Sequence, residues 1–209
     1  MNKNTQKILF IVLLGITITC IVILLVYNSA SKYYNIDSGE GIDPPYLSGN
    51  ISVEVDYMDG CQISQDELDD ISDIFAGYGL NVTFIIDEVL LYDSVMDNSD
   101  IDSYYESRSL NTSSYIFFAS EYVDSNVLGC IFNYEKIIIF SDSISDSFDG
   151  IYRIIAMQYV VVHELGHAYG CKHSDNKQDV MYPQISQAKI IVYPEPEFVD
   201  SEVLAELLD

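Results

Sequence analysis

The chain has 209 residues, 49% of them hydrophobic, and its 9 Lys+Arg face 33 Asp+Glu for a net charge of −24. So acidic a surface repels phosphate backbones and anionic lipid, which leaves no nucleic acid among the expected partners. The hydrophobic share suits a globular chain with one membrane segment.

The run from Ile8 to Tyr27 carries no charge. At about 20 residues and about 1.5 Å per residue it is long enough to cross a bilayer as a helix. Lys3 and Lys7 precede it and acidic sequence follows Lys32, so the positive-inside rule puts the short N-terminus in the cytoplasm and the rest outside. The competing reading is a cleaved signal peptide, with Ser29-Ala30-Ser31 as small residues that permit cleavage. Either way the remainder is outside the cytosol, anchored to the cell membrane by a single pass or secreted. Cys20 has no Gly or Ala before it, which argues against a lipoprotein anchor. Residues 1–31 are therefore read as anchor or signal. Residues 32–50, with Gly39, Gly41, Pro44, Pro45 and Gly49, are read as a spacer, and 51–209 as one domain.

Ile51 to Val55 alternates apolar and polar, which predicts a half-buried strand. Ser64-Gln65-Asp66-Glu67 opens a helix with a capping box, its apolar stripe is Leu68, Ile71, Ile74 and Phe75, and Gly77 and Gly79 end it. Asn81–Ile86 and Tyr115–Ala119 read as strands. Between them, residues 92–112 are rich in Asp and Ser and read as a long surface loop. Val127–Phe132 and Lys136–Phe140 read as two strands joined by a short turn, and Ser147 or Asp149 as the cap of a long helix that follows. Near the C-terminus Pro194 and Pro196 break the chain. Asp200-Ser201-Glu202 then starts a last helix, with Val203, Leu204 and Leu207 facing inward. This order predicts an α/β domain with a mixed sheet.

The long helix carries His163-Glu164-Leu165-Gly166-His167, then Gly170 and His173, with Met181 eight residues further on. All three histidines of the chain are in this HExxHxxGxxH pattern. Residues four apart share a helix face, so His163 and His167 can offer nitrogens to one ion. Glycine at 170 lets the chain turn sharply so that His173 completes a tripod. Three protein ligands leave a position for water, as in a catalytic zinc site. Glu164, displaced around the helix, can hold that water as general base without ligating the metal.

With its Met-containing turn, this pattern resembles the metzincin clan of zinc endopeptidases. His173-Ser174-Asp175 and Met181-Tyr182-Pro183 are most similar to the matrixin branch. The close likeness covers roughly residues 160–185. It implies a zincin domain with a mixed, mostly parallel twisted sheet, a zinc-binding helix, and a small C-terminal subdomain with one helix. It also implies His163, His167 and His173 as ligands of one Zn2+, Glu164 as catalytic base, Met181 as the floor beneath the metal, and residues 127–132 as the edge strand that binds peptide. The chain departs from the branch in having no cysteine-switch propeptide and no upstream histidines for a second zinc. Archaemetzincins place cysteines where this chain has Ser174 and Asp179. Pro183 stands where astacin-like enzymes have a metal-binding tyrosine, so Tyr182 is given no ligand role.

The expected activity is hydrolysis of peptide bonds by a zinc-activated water, with a peptide or protein as the partner. The alternative is a catalytically silent zinc module for peptide binding or adhesion. Asp93, Asp97, Asp100 and Asp102, and Asp142, Asp146 and Asp149, form two acidic clusters without EF-hand spacing, so Ca2+ is left open with no ligands assigned. Cys61, Cys130 and Cys171 are odd in number, which permits at most one internal disulfide, its pairing open. Asn50, Asn81 and Asn111 begin N-x-S/T sequons, relevant only in a host that glycosylates. Nothing marks an oligomeric partner.

Overall fold

Hydrogen bonding across five strands decides where the functional groups stand. The computed structural model describes residues 34–35, 49–90, 95–97, 99–101, 103, 112–123, 126–132 and 136–208. The apolar run from Ile8 to Tyr27, the small residues 29–31, Cys20 and Asn111 lie outside the described residues. No described helix is long and apolar enough to cross a membrane.

The main sheet contains β2 (Asn50–Met58), β3 (Asn81–Leu90), β4 (Ser114–Ala119), β5 (Gly129–Phe132) and β6 (Lys136–Phe140). Their order is β3-β2-β4-β6-β5. All pairings are parallel except β5 with β6, which is antiparallel. The fold is thus the expected mixed, mostly parallel α/β architecture, with β5 on the edge. The half-buried reading of Ile51–Val55 is corrected. β2 is longer, and every residue from Val53 to Met58 is buried, because a parallel strand between two neighbours is covered on both faces. Two acidic side chains, Glu54 and Asp56, are buried with it.

Helix α1 (Gln65–Ala76) forms as its capping box predicts. The Glu67 amide donates to Ser64 Oγ at 3.2 Å and the Ser64 amide to Glu67 Oε2 at 2.9 Å. Leu68, Ile71 and Phe75 are buried, and Ile74 is partly so. A short α2 (Ser141–Ser147), which has no clear apolar period, precedes the long α3 (Ile151–Ala168). The α3 cap is neither Ser147 nor Asp149. Ser147 belongs to α2, and Gly150 stands at the cap with φ 55° and no side-chain hydrogen bond. Backbone carbonyls of Asp149 and Gly150 accept from Tyr152 and Arg153 instead.

The described part of residues 92–112 is not all surface. Met96 bridges to Tyr122 and is buried, as is Ile101. Within the predicted spacer, β1 (Tyr34–Asn35) pairs antiparallel with β7 (Gln184–Ile185). After β7 come α4 (Gln187–Val192), which the sequence reading omitted, and α5 (Ser201–Leu208), which buries Val203 and Leu207.

Candidate metal centre

Helix α3 is built to be enclosed: every residue from Tyr159 to Gly166 is buried. Such a helix can hold a histidine in one place because neighbours on all sides fix its rotamer. Past Ala168 the chain turns at Gly170, whose φ of 99° suits glycine. The Cys171 amide donates back to the Gly166 carbonyl at 3.0 Å. That reversal brings His173 over the last turn of the helix.

The three imidazoles converge. Nε2 of His167 lies 3.1 Å from Nε2 of His163 and 3.2 Å from Nε2 of His173. One ligand atom from each falls within 4.8 Å of the others. A tetrahedral shell with zinc–nitrogen bonds of about 2.0–2.1 Å has edges of about 3.3 Å, so the donor set fits Zn2+. Nδ1 of His163 donates to the Val180 carbonyl at 2.8 Å, and Nδ1 of His167 to the Cys171 carbonyl at 2.7 Å. A carbonyl only accepts, so Nδ1 carries the proton and each Nε2 keeps its lone pair for a metal. Burial holds the His163 pKa well below the ordinary histidine value, and His167 reinforces this, whereas the Val180 carbonyl opposes it. His163 is enclosed, His167 half-buried and His173 exposed, so the centre opens to solvent on the His173 side.

Glu164 is buried beside the edge strand. A Cβ placed on Gly129 of β5 would lie 3.1 Å from Glu164 Oε1 and 2.7 Å from Val160 Cγ1. Gly129 therefore lets α3 and β5 approach closely enough to set the carboxylate against the strand. Met181 is fully buried against the same helix. A Cβ on Gly166 would sit 2.5 Å from Met181 Sδ and 3.1 Å from Phe198 Cε1. Sequence reading passed over both glycines as site residues. Their signal was their position, since glycine within a helix or strand costs stability and often marks a close approach.

Asp179 organises the turn. Its Oδ1 accepts from the Met181 amide at 2.7 Å, and its Oδ2 from the amides of Val199 and Asp200 at 2.7 and 2.6 Å. Lys189 on α4 donates from Nζ to the Asp179 carbonyl at 3.0 Å, with the Tyr159 and Tyr182 rings nearby. Burial depresses the Lys189 pKa to about 8, and Asp179 partly opposes this. Ser174 Oγ donates to Asp200 Oδ2 at 3.0 Å, which ties the loop after His173 to the start of α5. None of this had a sequence signal, because the partners are distant along the chain.

No disulfide joins Cys61, Cys130 and Cys171, all buried. Burial, then Asp142 and Asp59, pushes the Cys61 thiol up to about 12. Among the described residues, neither predicted acidic cluster gathers three ligand atoms. Asp97 instead closes a turn by accepting from Ser99 and Asp100.

A family model described as Matrixin matches residues 87–197, just over half of the chain and all of the histidine motif. No curated protein matches. Among solved structures, an archaemetzincin from Methanopyrus kandleri has a TM-score of 0.59 at 14% identity, covering 76% of this chain and 93% of that one. Metalloproteinase-II from Bacteroides fragilis has a TM-score of 0.55 at 16% identity and covers 79% of this chain, which spans 55% of that longer protein. A zinc-dependent peptidase from Methanocorpusculum labreanum has a TM-score of 0.53 at 13% identity, with 74% and 99% covered. At these identities the structures speak for the fold alone. The family match supplies the assignment: this chain belongs to the matrixin family of zinc metallopeptidases.

Proposed function

We propose that the protein is an endopeptidase acting outside the cytosol, with zinc held by His163, His167 and His173 and Glu164 as general base. The observation that carries this is the convergence of three Nε2 atoms whose Nδ1 partners are backbone carbonyls. Zinc, when bound there, supplies a Lewis acid that polarises the scissile carbonyl and brings the pKa of a water toward neutrality.

The chain's own groups do the rest. An extended peptide adds to the edge of β5, where main-chain groups fix its direction and register. Glu164, against Gly129 of that strand, takes the proton of the attacking water and returns it to the leaving amine. His163 and His167 are held in orientation by their Nδ1–H bonds, and burial disfavours the charged form of His163. Asp179 holds the Met181 turn under the histidines by binding three backbone amides.

Residues 1–31 anchor the chain, or direct its export and are removed. Residues 32–50 lead to the peptidase domain of 51–209. The uncharged run after Lys3 and Lys7 supports the anchor.

The test is peptide-library cleavage by the zinc-loaded chain alongside Glu164→Ala. The variant is expected to keep one zinc per chain and to lose cleavage by at least about 10²-fold. Normal cleavage by the variant would remove Glu164 from its role. A folded, zinc-loaded wild type that cuts nothing would favour the silent binding module.

A further inference from the structure

We propose that the C-terminal helix α5 positions the third histidine, and that Glu206 is the positioning residue through which it acts. The inference rests on His163, His167 and His173 holding the metal, and concerns what keeps His173 within reach of the other two. His163 and His167 stand on α3, and each donates from Nδ1 to a backbone carbonyl. His173 belongs to neither helix nor strand and is exposed. Ordering such a segment costs conformational entropy, so a ligand carried on it binds weakly unless its backbone is already fixed.

Helix α5 fixes that backbone on both sides. Asp200, Val203 and Glu206 are three residues apart and so share one helix face. Asp200 lies on the same spiral, because its carbonyl accepts from the Leu204 amide at 2.8 Å. These three residues meet the three that surround His173. Glu206 Oε2 accepts from the Lys172 amide at 2.9 Å, and its Oε1 from Lys172 Nζ at 3.0 Å. The Val203 carbonyl accepts from the Cys171 thiol at 3.7 Å. Asp200 Oδ2 accepts from Ser174 Oγ, whose own amide donates to the Met181 carbonyl at 3.0 Å. Burial of Val203 and Leu207 holds the helix in place meanwhile. Glu206 is singled out because it binds the main chain immediately before His173. A carboxylate on a backbone amide makes a strong hydrogen bond. Its ion pair with Lys172, a side chain 78% exposed, contributes little. The amide bond therefore carries the positioning. Groups that orient a metal ligand typically cost about 10–100-fold in metal affinity when removed. Coupling of this kind is reciprocal, so a metal on His173 must also steady α5.

The test uses the full chain in detergent, stripped of metal, with zinc affinity read by competition against a chromophoric chelator. Glu206→Ala should weaken zinc binding at least about tenfold. Glu206→Gln, which still accepts from the Lys172 amide, should recover most of that loss. Lys172→Met removes only the ion pair, and Glu202→Ala lies on an exposed part of the same helix. Both should leave the affinity within about twofold of wild type. In a His173→Ala background, Glu206→Ala should cost less than about twofold more, because its effect passes through that ligand. Zinc should also slow amide exchange across residues 201–208 of the wild type, a readout that stands even where Glu206→Ala does not fold. Three results would each overturn the positioning role: wild-type affinity in a folded Glu206→Ala chain, an equal loss with and without His173, or α5 exchange indifferent to zinc. A wild type that takes up no zinc would overturn the histidine centre itself, and the role of Glu206 with it.

Discussion

Two glycines show how much of the centre depends on single missing methyl groups. Gly166 lies between Glu164 and His167, and the space a Cβ would need is held by Met181 Sδ at 2.5 Å. Because Met181 and Phe198 are buried on that side, the sulfur cannot simply swing into solvent. Gly166→Ala is therefore expected to lower stability by about 1–3 kcal/mol, as overpacking does. Urea unfolding of the two zinc-loaded chains would check this. A loss below about 0.5 kcal/mol would mean that the Met turn yields at little cost. The histidines were legible because their chemistry is local and their spacing follows the helix. The glycines' purpose was not, because the atom each makes room for belongs to another segment.

At the scale of elements, α4 and the Met turn form one unit through Lys189. Its amide donates to Ser186 Oγ at 3.2 Å, and its ammonium reaches the Asp179 carbonyl. The Lys189 pKa falls from 10.5 to about 8 on burial. Between those values the unfolded chain binds the proton that the native chain lacks, so this group makes stability rise with pH. Its contribution is fully present above about 10.5 and is lost as pH falls toward 8. Wild type minus Lys189→Met stability is expected to rise by about 2 kcal/mol from about pH 8 to about pH 10. Urea unfolding at both pH values tests it, and a flat difference would mean that Lys189 stays charged in the native state. α1 was legible because its cap and stripe are contiguous. α4 was not, since its six residues bury only Lys189 and Ile190, and a buried lysine breaks the apolar pattern.

For the whole molecule the dominant quantity is a net charge of −24. Self-repulsion on this scale opposes the compact state. Raising salt from about 0.01 M to about 0.1 M shortens the screening length from roughly 30 Å to roughly 10 Å. The thermal midpoint of the zinc-loaded chain is expected to rise by several degrees over that range. A fall in calorimetry would show that attractive pairs such as Lys172–Glu206, at 3.0 Å, outweigh the repulsion. By itself, the sequence determined the charge, the zinc motif with Glu164 and Met181, the capped α1 and the order of the principal strands. Each of these depends on residues close together in the chain, so spacing and type suffice to show it. Only the tertiary structure decided that β5 brings Gly129 against Glu164, that Asp179 gathers amides from Val199 and Asp200, and that Glu206 meets the Lys172 amide. Those contacts join segments tens of residues apart, and they exist because sheet order and register, set by packing across the whole chain, place them there.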